Sequence, residues 1–261
     1  MHPVLLKLGP ITIHTYGLMV ALGILSGVSL SEYLYRREGG EPGKVVDMAL
    51  IVVLSGIVGS RILFVLVNLD YYMENPLEAI MIWQGGLVFY GGLIGGIGGL
   101  IISTYLYRLQ LLRILDVGAI AIALGQSIGR IGCFSAGCCY GKPTDLPWAV
   151  IFTDPRSLAV SVLNTPVHPT QLYSFAGLFL ITVYLVWLHP RKSFHGQLTS
   201  AYLVLHGIFR FIVEIFRGDP RGSIELAGIT LSTSQAVSLL IVPAGIILYI
   251  MSSRKPIERD A

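Results

Sequence analysis

Seven long apolar segments recur along this 261-residue chain, separated by short polar connections. A helix of about 20 residues crosses the hydrocarbon core of a bilayer, which is about 30 Å thick. An open strand in lipid would leave its backbone polar groups without partners, so these segments are expected to be helices. We place the seven segments at residues 14–35, 46–68, 86–107, 114–134, 170–189, 198–217 and 231–251.

The composition agrees with a chain that lies almost entirely in lipid. Only 13% of the residues are charged, whereas soluble domains have about one quarter, and 54% are hydrophobic. We therefore predict an all-α integral membrane protein that forms a single polytopic domain over residues 1–261. The first ten residues lack the features of a cleavable signal peptide, so the first helix is expected to direct insertion. The net charge of +3 comes without a basic cluster, and no nucleic-acid partner is predicted.

The lysines and arginines in the connections predict an orientation. Ten of them fall on the side of the C-terminus and five on the other side, once Arg61, Arg130 and Arg210 are set aside as membrane residues. Since cytoplasmic loops are enriched in Lys and Arg, the C-terminus is expected in the cytoplasm and the N-terminus outside. Residues 135–169 then form an outer loop, long enough to make a small extracytoplasmic head.

Arginines inside the apolar segments are the strongest functional signal. Arg130 carries a permanent charge at the end of the fourth segment, where a charge is costly without a partner or a task. Arg210 and Glu214 are four residues apart and Glu214 and Arg217 three apart, so on one helix they share a face and can pair. One carboxylate cannot neutralise these arginines and Arg130 together. Arg61 either binds a ligand or extends its charge to the membrane surface.

A surplus of arginine in a lipid-facing chain indicates a phosphate ligand. Planar guanidinium groups match phosphate oxygens with two parallel hydrogen bonds, and phospholipid head groups supply the phosphate. The sequence therefore predicts a phospholipid site. Glu214 either orients Arg210 there or forms a structural ion pair between helices. The glycine-rich stretch 85–99 indicates either a close helix contact or backbone approach to a ligand.

Three cysteines cluster near the outer end of the fourth segment, namely Cys133, Cys138 and Cys139. Small-residue packing, a disulfide, and a role as nucleophile or metal ligand all stay open for them, although zinc normally takes about four ligands. Neither a metal nor a cofactor is predicted. His168 precedes Pro169 at the start of the fifth segment and is expected to fix the loop onto that helix. Gln171 and Tyr173, just beyond, are expected to reach a lipid head group.

Six ordered motifs carry a family resemblance that covers nearly the whole chain. They are His14-Thr-Tyr-Gly17, Gly59-Ser-Arg61, the stretch Gly85 to Ile94, Gly129-Arg-Ile-Gly132, the stretch His168 to Tyr173, and the stretch Phe209 to Arg217. Through them the chain resembles the prolipoprotein diacylglyceryl transferase family. The resemblance implies transfer of diacylglyceryl from phosphatidylglycerol to the lipobox cysteine in the signal peptide of a bacterial prolipoprotein, with release of glycerol phosphate. It also implies a multi-pass protein among the lipids of the bacterial cytoplasmic (inner) membrane, with its active site toward the outer leaflet.

The chain departs from the family pattern at several positions. Tyr90 stands where the family often has His, and Cys133, Ala136 and Cys138 replace Asn, Asn and Glu of the usual signature. An unperturbed tyrosine has a pKa near 10, so Tyr90 is interpreted as a hydrogen-bond donor or positioning group. Deprotonation of the substrate thiol then uses another group, such as His14 or the departing phosphate, or needs little help.

The residues and the resemblance together suggest site assignments. The catalytic residues are expected to be Arg130, Arg210, Tyr90 and Glu214. Phosphatidylglycerol is expected to contact Arg130, Tyr16, His14, Arg61, Gln171, Tyr173 and Arg217. Fixed cations would stabilise the charge that grows on the bridging oxygen as the carbon–oxygen bond breaks.

Two other function classes share some of these sequence features. A membrane transporter or flippase for an anionic lipid would also use buried arginines, but it would more often show internal repeats, and none is visible. A metal-dependent phosphatidyl or prenyl transferase would need paired aspartates for Mg²⁺, and the aspartates of this chain are scattered.

Overall fold

The computed structural model describes residues 3–8, 11–220, 222–226 and 229–257. Within them, seven helices are long and apolar enough to cross a membrane. In chain order they are α1 (Thr15–Arg37), α2 (Lys44–Val67), α3 (Phe89–Leu106), α4 (Leu111–Ala136), α5 (Thr170–Leu188), α6 (Gln197–Ile215) and α7 (Thr233–Ser252). The prediction of an all-α, multi-pass membrane protein is confirmed, and each predicted segment matches one helix to within a few residues.

The chain divides into two compact units. The first contains Met1–Ser31 and Leu115–Ala261, and the second contains Glu32–Ile114. Helices α1 and α4 each run from one unit into the other along the chain. The single polytopic domain and the orientation across the membrane stay predictions.

Short antiparallel strand pairs accompany the helices in the described residues. They are β1 (Val4–Leu8) with β2 (Ile11–His14), β3 (Val150–Ile151) with β4 (Pro166–Val167), and β5 (Ser223–Leu226) with β6 (Ile229–Ser232). The β3–β4 pair lies in the connection between α4 and α5. Four buried side chains form a small apolar core there: Tyr140, Phe152, Ala159 and Val167. The connection therefore folds as a small head with its own core, whose side of the membrane stays a prediction.

In the second unit, α2 and α3 pack through their glycines. A Cβ atom added to Gly91 would collide with the carbonyl oxygen of Gly59, and one added to Gly95 would collide with that of Ser55. Small residues of this kind let two helix backbones approach closely. The glycine-rich stretch thus makes a helix contact, which was one of its two interpretations.

In the first unit, a buried carboxylate of α4 fixes the start of α6. Asp116 Oδ2 accepts a hydrogen bond from the Gly196 amide at 2.9 Å, and Oδ1 accepts from the Thr199 amide at 3.0 Å. Lys192 Nζ lies 3.5 Å from Asp116 Oδ2. The first amides of a helix lack intrahelical partners, and an acidic side chain there also complements the helix dipole. Asp116 therefore sets the position of α6, which carries Arg210 and Glu214.

Candidate active site

Arg130 lies near the C-terminal end of α4, where its side chain is half-buried. Its guanidinium makes no hydrogen bond or ion pair with any residue in the part of the chain that the structure describes. It is close enough to Tyr16, Cys139 and His206 to interact with them electrostatically. A guanidinium in a membrane helix that has no carboxylate partner among the described residues can bind an anionic ligand.

The close approach of α1 to α4 places Tyr16 beside this turn. A Cβ atom added to Gly27 would collide with the carbonyl oxygen of Ala121, and one added to Gly132 would crowd Tyr16. Both contacts lie within the first unit. The side chain of Tyr16 is 46% exposed, so its ring can line a surface beside Arg130.

Arg210 and Glu214 form the ion pair that their spacing predicted. Arg210 Nη2 lies 2.6 Å from Glu214 Oε2, and the two side chains are 15% and 3% exposed. Arg210 Nη2 also donates to the hydroxyl of Ser234 on α7 at 2.8 Å. The charge of Arg210 is therefore matched and held in place, in contrast to that of Arg130.

The predicted partner of Arg217 was wrong. Arg217 pairs with Asp219 through two hydrogen bonds, Nε to Oδ1 at 2.8 Å and Nη2 to Oδ2 at 2.9 Å. Helix α6 ends at Ile215, so Arg217 lies beyond the helix and the three-residue spacing to Glu214 no longer places the two on one face. Sequence reasoning overlooked Asp219, which supplies the second carboxylate for this group of arginines.

The three cysteines converge at the junction of α4 with the head. Their sulfur atoms all lie within 4.8 Å of one another, and none of the three forms a disulfide. Gly137 has a φ of 77° and Cys139 a φ of 64°, so a left-handed turn carries the chain back toward Cys133. Thiol hydrogen bonds from Cys133 and Cys138, and then the charges of Arg217 and Arg130, lower the pKa of Cys139 against the opposing effect of burial.

Residues 3–251 match the family model described as prolipoprotein diacylglyceryl transferase. The chain belongs to this family. It is 40% identical to the phosphatidylglycerol–prolipoprotein diacylglyceryl transferase of Clostridium tetani over 253 residues, which cover 95% of this chain and 97% of the relative. Identity to the enzyme of the same name in Finegoldia magna is 38% over 251 residues, or 96% and 95% of the two chains. The resemblance carried by the six motifs is thus confirmed.

The start of α5 anchors the head of this family member. The Gln171 side chain, only 1% exposed, donates through Nε2 to the carbonyl oxygen of Cys138 at 2.8 Å. The Tyr173 hydroxyl accepts from Trp148 Nε1 at 2.8 Å and lies 3.3 Å from His168 Nδ1. His168 therefore helps to fix the loop onto the helix, as expected. A contact of Gln171 or Tyr173 with lipid stays a prediction.

A polar row between α4 and α6 adds residues to which sequence reasoning assigned no role. The Tyr202 hydroxyl donates to Gln126 Oε1 at 3.0 Å, and the ring of His206 stacks on Tyr202 with centroids 5.2 Å apart. The four-residue spacing of Tyr202, His206, Arg210 and Glu214 was the available signal, since it places polar groups on one face of α6. Gln126 and Arg130 have the same spacing on α4.

The remaining predicted site residues are His14, Arg61 and Tyr90. His14 is the exposed last residue of β2, so its motif crosses the junction between strand and helix. Arg61 and Tyr90 belong to the second unit, and Tyr90 is 59% exposed at the start of α3. Their assignment to the family's lipid site stays a prediction.

Arg61 does not extend to the membrane surface, because its side chain is buried. It donates to the carbonyl oxygens of Glu78, Ala79 and Gly85 at 2.6, 2.8 and 2.6 Å. These bonds tie the loop between α2 and α3 to α2. The interpretation of Arg61 as a group that extends its charge to the surface was wrong, since backbone carbonyls satisfy the charge inside the fold.

Proposed function

We propose that this chain transfers the diacylglyceryl group of phosphatidylglycerol to the lipobox cysteine of bacterial prolipoproteins and releases glycerol phosphate. Membership of the prolipoprotein diacylglyceryl transferase family and the names of the relatives support this reaction. We place it in the bacterial inner membrane, with the site toward the outer leaflet, where the positive-inside rule puts the head. An anionic-lipid transporter or flippase is not favoured, since the chain belongs to a transferase family.

The assignment of the lipid site rests on Arg130. Its guanidinium has no anionic partner among the described residues, and it lies beside the half-exposed Tyr16. A phosphodiester supplies the missing negative charge and accepts two parallel hydrogen bonds from the guanidinium. We therefore assign the phosphate of phosphatidylglycerol to Arg130, with Tyr16 lining the head-group pocket.

The chemical step follows from this placement of the phosphate. The substrate thiolate attacks the glyceryl carbon that bears the phosphate, a carbon–sulfur bond forms, and the carbon–oxygen bond breaks. Negative charge grows on the bridging oxygen, where a fixed cation in a water-poor site stabilises it. The thiol proton ends on the departing glycerol phosphate or in water, so the step balances without a cofactor.

The other arginines have supporting roles in this proposal. Glu214 and Ser234 hold Arg210 in place in the same helix bundle. Arg217 is matched by Asp219 and lies against the thiol of Cys139. Tyr90 is kept as a hydrogen-bond donor toward the lipid. Arg61 is better assigned to loop positioning than to lipid contact, because four backbone carbonyls occupy its donors.

Lipid transfer to a peptide tests the function. The purified protein in detergent is mixed with phosphatidylglycerol and a lipobox peptide, and the peptide mass is measured. We expect the cysteine peptide to gain one diacylglyceryl group, while a peptide with serine at that position stays unchanged. Phosphatidylcholine in place of phosphatidylglycerol should give no product. A folded, monodisperse protein that leaves the cysteine peptide unmodified would overturn the proposal.

A further inference from the structure

The three-cysteine cluster has the donors and the spacing of a metal site. We propose that Cys133, Cys138 and Cys139 bind one Zn²⁺ ion and leave its fourth coordination position for the thiolate of the lipobox cysteine. The second part of this proposal rests on the proposed function. The first part, metal binding, stands on the geometry of the cluster alone.

The sulfur spacing suits a single thiophilic ion. Zinc–sulfur bonds of about 2.3 Å place the sulfur atoms of a tetrahedral site roughly 3.8 Å apart. The three sulfur atoms lie within 4.8 Å of one another, so shifts of about 1 Å or less close them around zinc. A disulfide would use two of the thiols and leave the third without a role. A metal ion uses all three, which is why their convergence favours a metal site.

The ligands are held in place by neighbouring buried groups. Cys133 lies on α4, and the left-handed turn at Gly137 and Cys139 returns the other two thiols to it. Two buried side chains at the start of α5 fix the turn. The Thr170 hydroxyl donates to the carbonyl oxygen of Cys139 at 2.7 Å, and Gln171 donates to that of Cys138 at 2.8 Å. Such outer contacts orient metal ligands and reduce the rearrangement that binding requires.

The surrounding charges select the type of ion. Three thiolates and Zn²⁺ carry a net charge of about −1, and Arg217 and Arg130 lie close enough to Cys139 to interact with that charge electrostatically. A cation held by neutral ligands would be repelled by these guanidinium groups. Thiolates favour zinc over Mg²⁺ and Ca²⁺, which prefer oxygen ligands.

We assign the fourth position to the side of the cluster that faces Tyr16. The thiols lie close enough to Tyr16 to interact with it electrostatically, and that side chain is half-exposed. A substrate thiol that enters there coordinates the metal as a thiolate and releases its proton to water. The bound sulfur then attacks the glyceryl carbon, the phosphate leaves, and the thioether product dissociates from the metal.

Metal content and cobalt spectra test the site directly. The intact protein is expressed with zinc, its metal is counted by mass spectrometry, and cobalt is then exchanged into it. We expect about one zinc per chain and an intense sulfur-to-cobalt charge-transfer band. Cys133→Ser, Cys138→Ser and Cys139→Ser should each lower metal affinity at least tenfold, and Ser135→Ala on the same turn should not. A metal-free parent without the cobalt band, or a disulfide in its mass spectrum, overturns the proposal.

The lipobox peptide tests the fourth position and separates this inference from the proposed function. Addition of the cysteine peptide should strengthen the charge-transfer band of the cobalt form, and the serine peptide should leave it unchanged. An unchanged spectrum with both peptides overturns substrate coordination. The transfer assay on the same samples distinguishes the two proposals. Full transfer by the triple cysteine-to-serine variant overturns the metal's role but keeps the function, whereas metal binding without transfer overturns the function alone.

Discussion

Arg210 and Glu214 form a buried ion pair whose energy depends on both partners. Removing one partner of such a pair leaves a buried charge and costs roughly 3–5 kcal/mol, whereas removing both often costs little. We expect Arg210→Gln and Glu214→Gln each to lower the unfolding temperature in detergent clearly. The double variant should be more stable than the sum of the two effects predicts. Strictly additive losses would contradict the pairing.

Residue spacing predicted some contacts of the site and missed others. The four-residue spacing within α6 predicted the pair of Arg210 and Glu214, because both residues lie inside one helix. The same reasoning failed for Arg217, because the helix ends at Ile215 and the chain beyond it turns toward Asp219. Helix ends are the least certain feature of a sequence-based prediction, so contacts that cross them are the first to be wrong.

At the scale of elements, the capping of α6 by Asp116 gives a stability prediction. Asp116→Ala removes two hydrogen bonds from backbone amides and the ion pair with Lys192. Bonds to charged acceptors contribute about 1.5–3 kcal/mol each, so we expect a loss of several kcal/mol. The exposed Asp145 is the matched control, and Asp145→Ala should change the unfolding midpoint little. Equal effects of the two substitutions would argue against the capping role.

Two glycines of α3 give a matched test of helix packing. Gly91 lies against the backbone of α2 at Gly59, whereas a Cβ atom at Gly98 would meet nothing within 4 Å. Gly91→Leu should therefore force the helices apart and lower the unfolding temperature, while Gly98→Leu should be tolerated. Thermal unfolding in the same detergent compares the two. Similar unfolding temperatures for both variants would mean that α2 and α3 do not pack this closely.

Hydrophobicity over about 20 residues was enough to place the seven long apolar helices of the described residues, because the bilayer itself fixes the required length. The short strands were not predicted. β1 and β2 contain few residues, and their stability depends on pairing across a turn rather than on a long pattern. The head was predicted from its length, but its apolar core around Phe152 follows from tertiary packing.

At the scale of the molecule, the distribution of Lys and Arg predicts the topology. A fluorescent protein fused to the C-terminus should be bright in bacterial cells, since that end is expected in the cytoplasm. A protease site inserted beside Leu158 on the surface of the head should be cut by protease added to spheroplasts with an intact inner membrane. A head that is cut only after the membrane is opened would reverse the orientation.

Some features of the site could be predicted from the sequence, and others depend on the folded structure. The arginines could be predicted as functional because charges in an apolar segment are costly. The convergence of Cys133 with Cys138 and Cys139 could be predicted only as a cluster in sequence, since their mutual distances depend on the left-handed turn between them. The contact of Tyr202 with Gln126 required knowing which faces of α4 and α6 meet.

The kinetics of Arg130 variants test the central claim most directly. Arg130→Lys keeps the charge but loses the planar fork, and Arg130→Ala loses both. In the peptide assay we expect Arg130→Ala to lower kcat/KM by about 100-fold or more, in line with removal of one charge-stabilising donor. We expect Arg130→Lys to lower kcat/KM as well. Arg156→Ala, at an exposed arginine of the head, should keep the parental rate. Parental rates for both Arg130 variants would contradict the assignment of the phosphate to this residue.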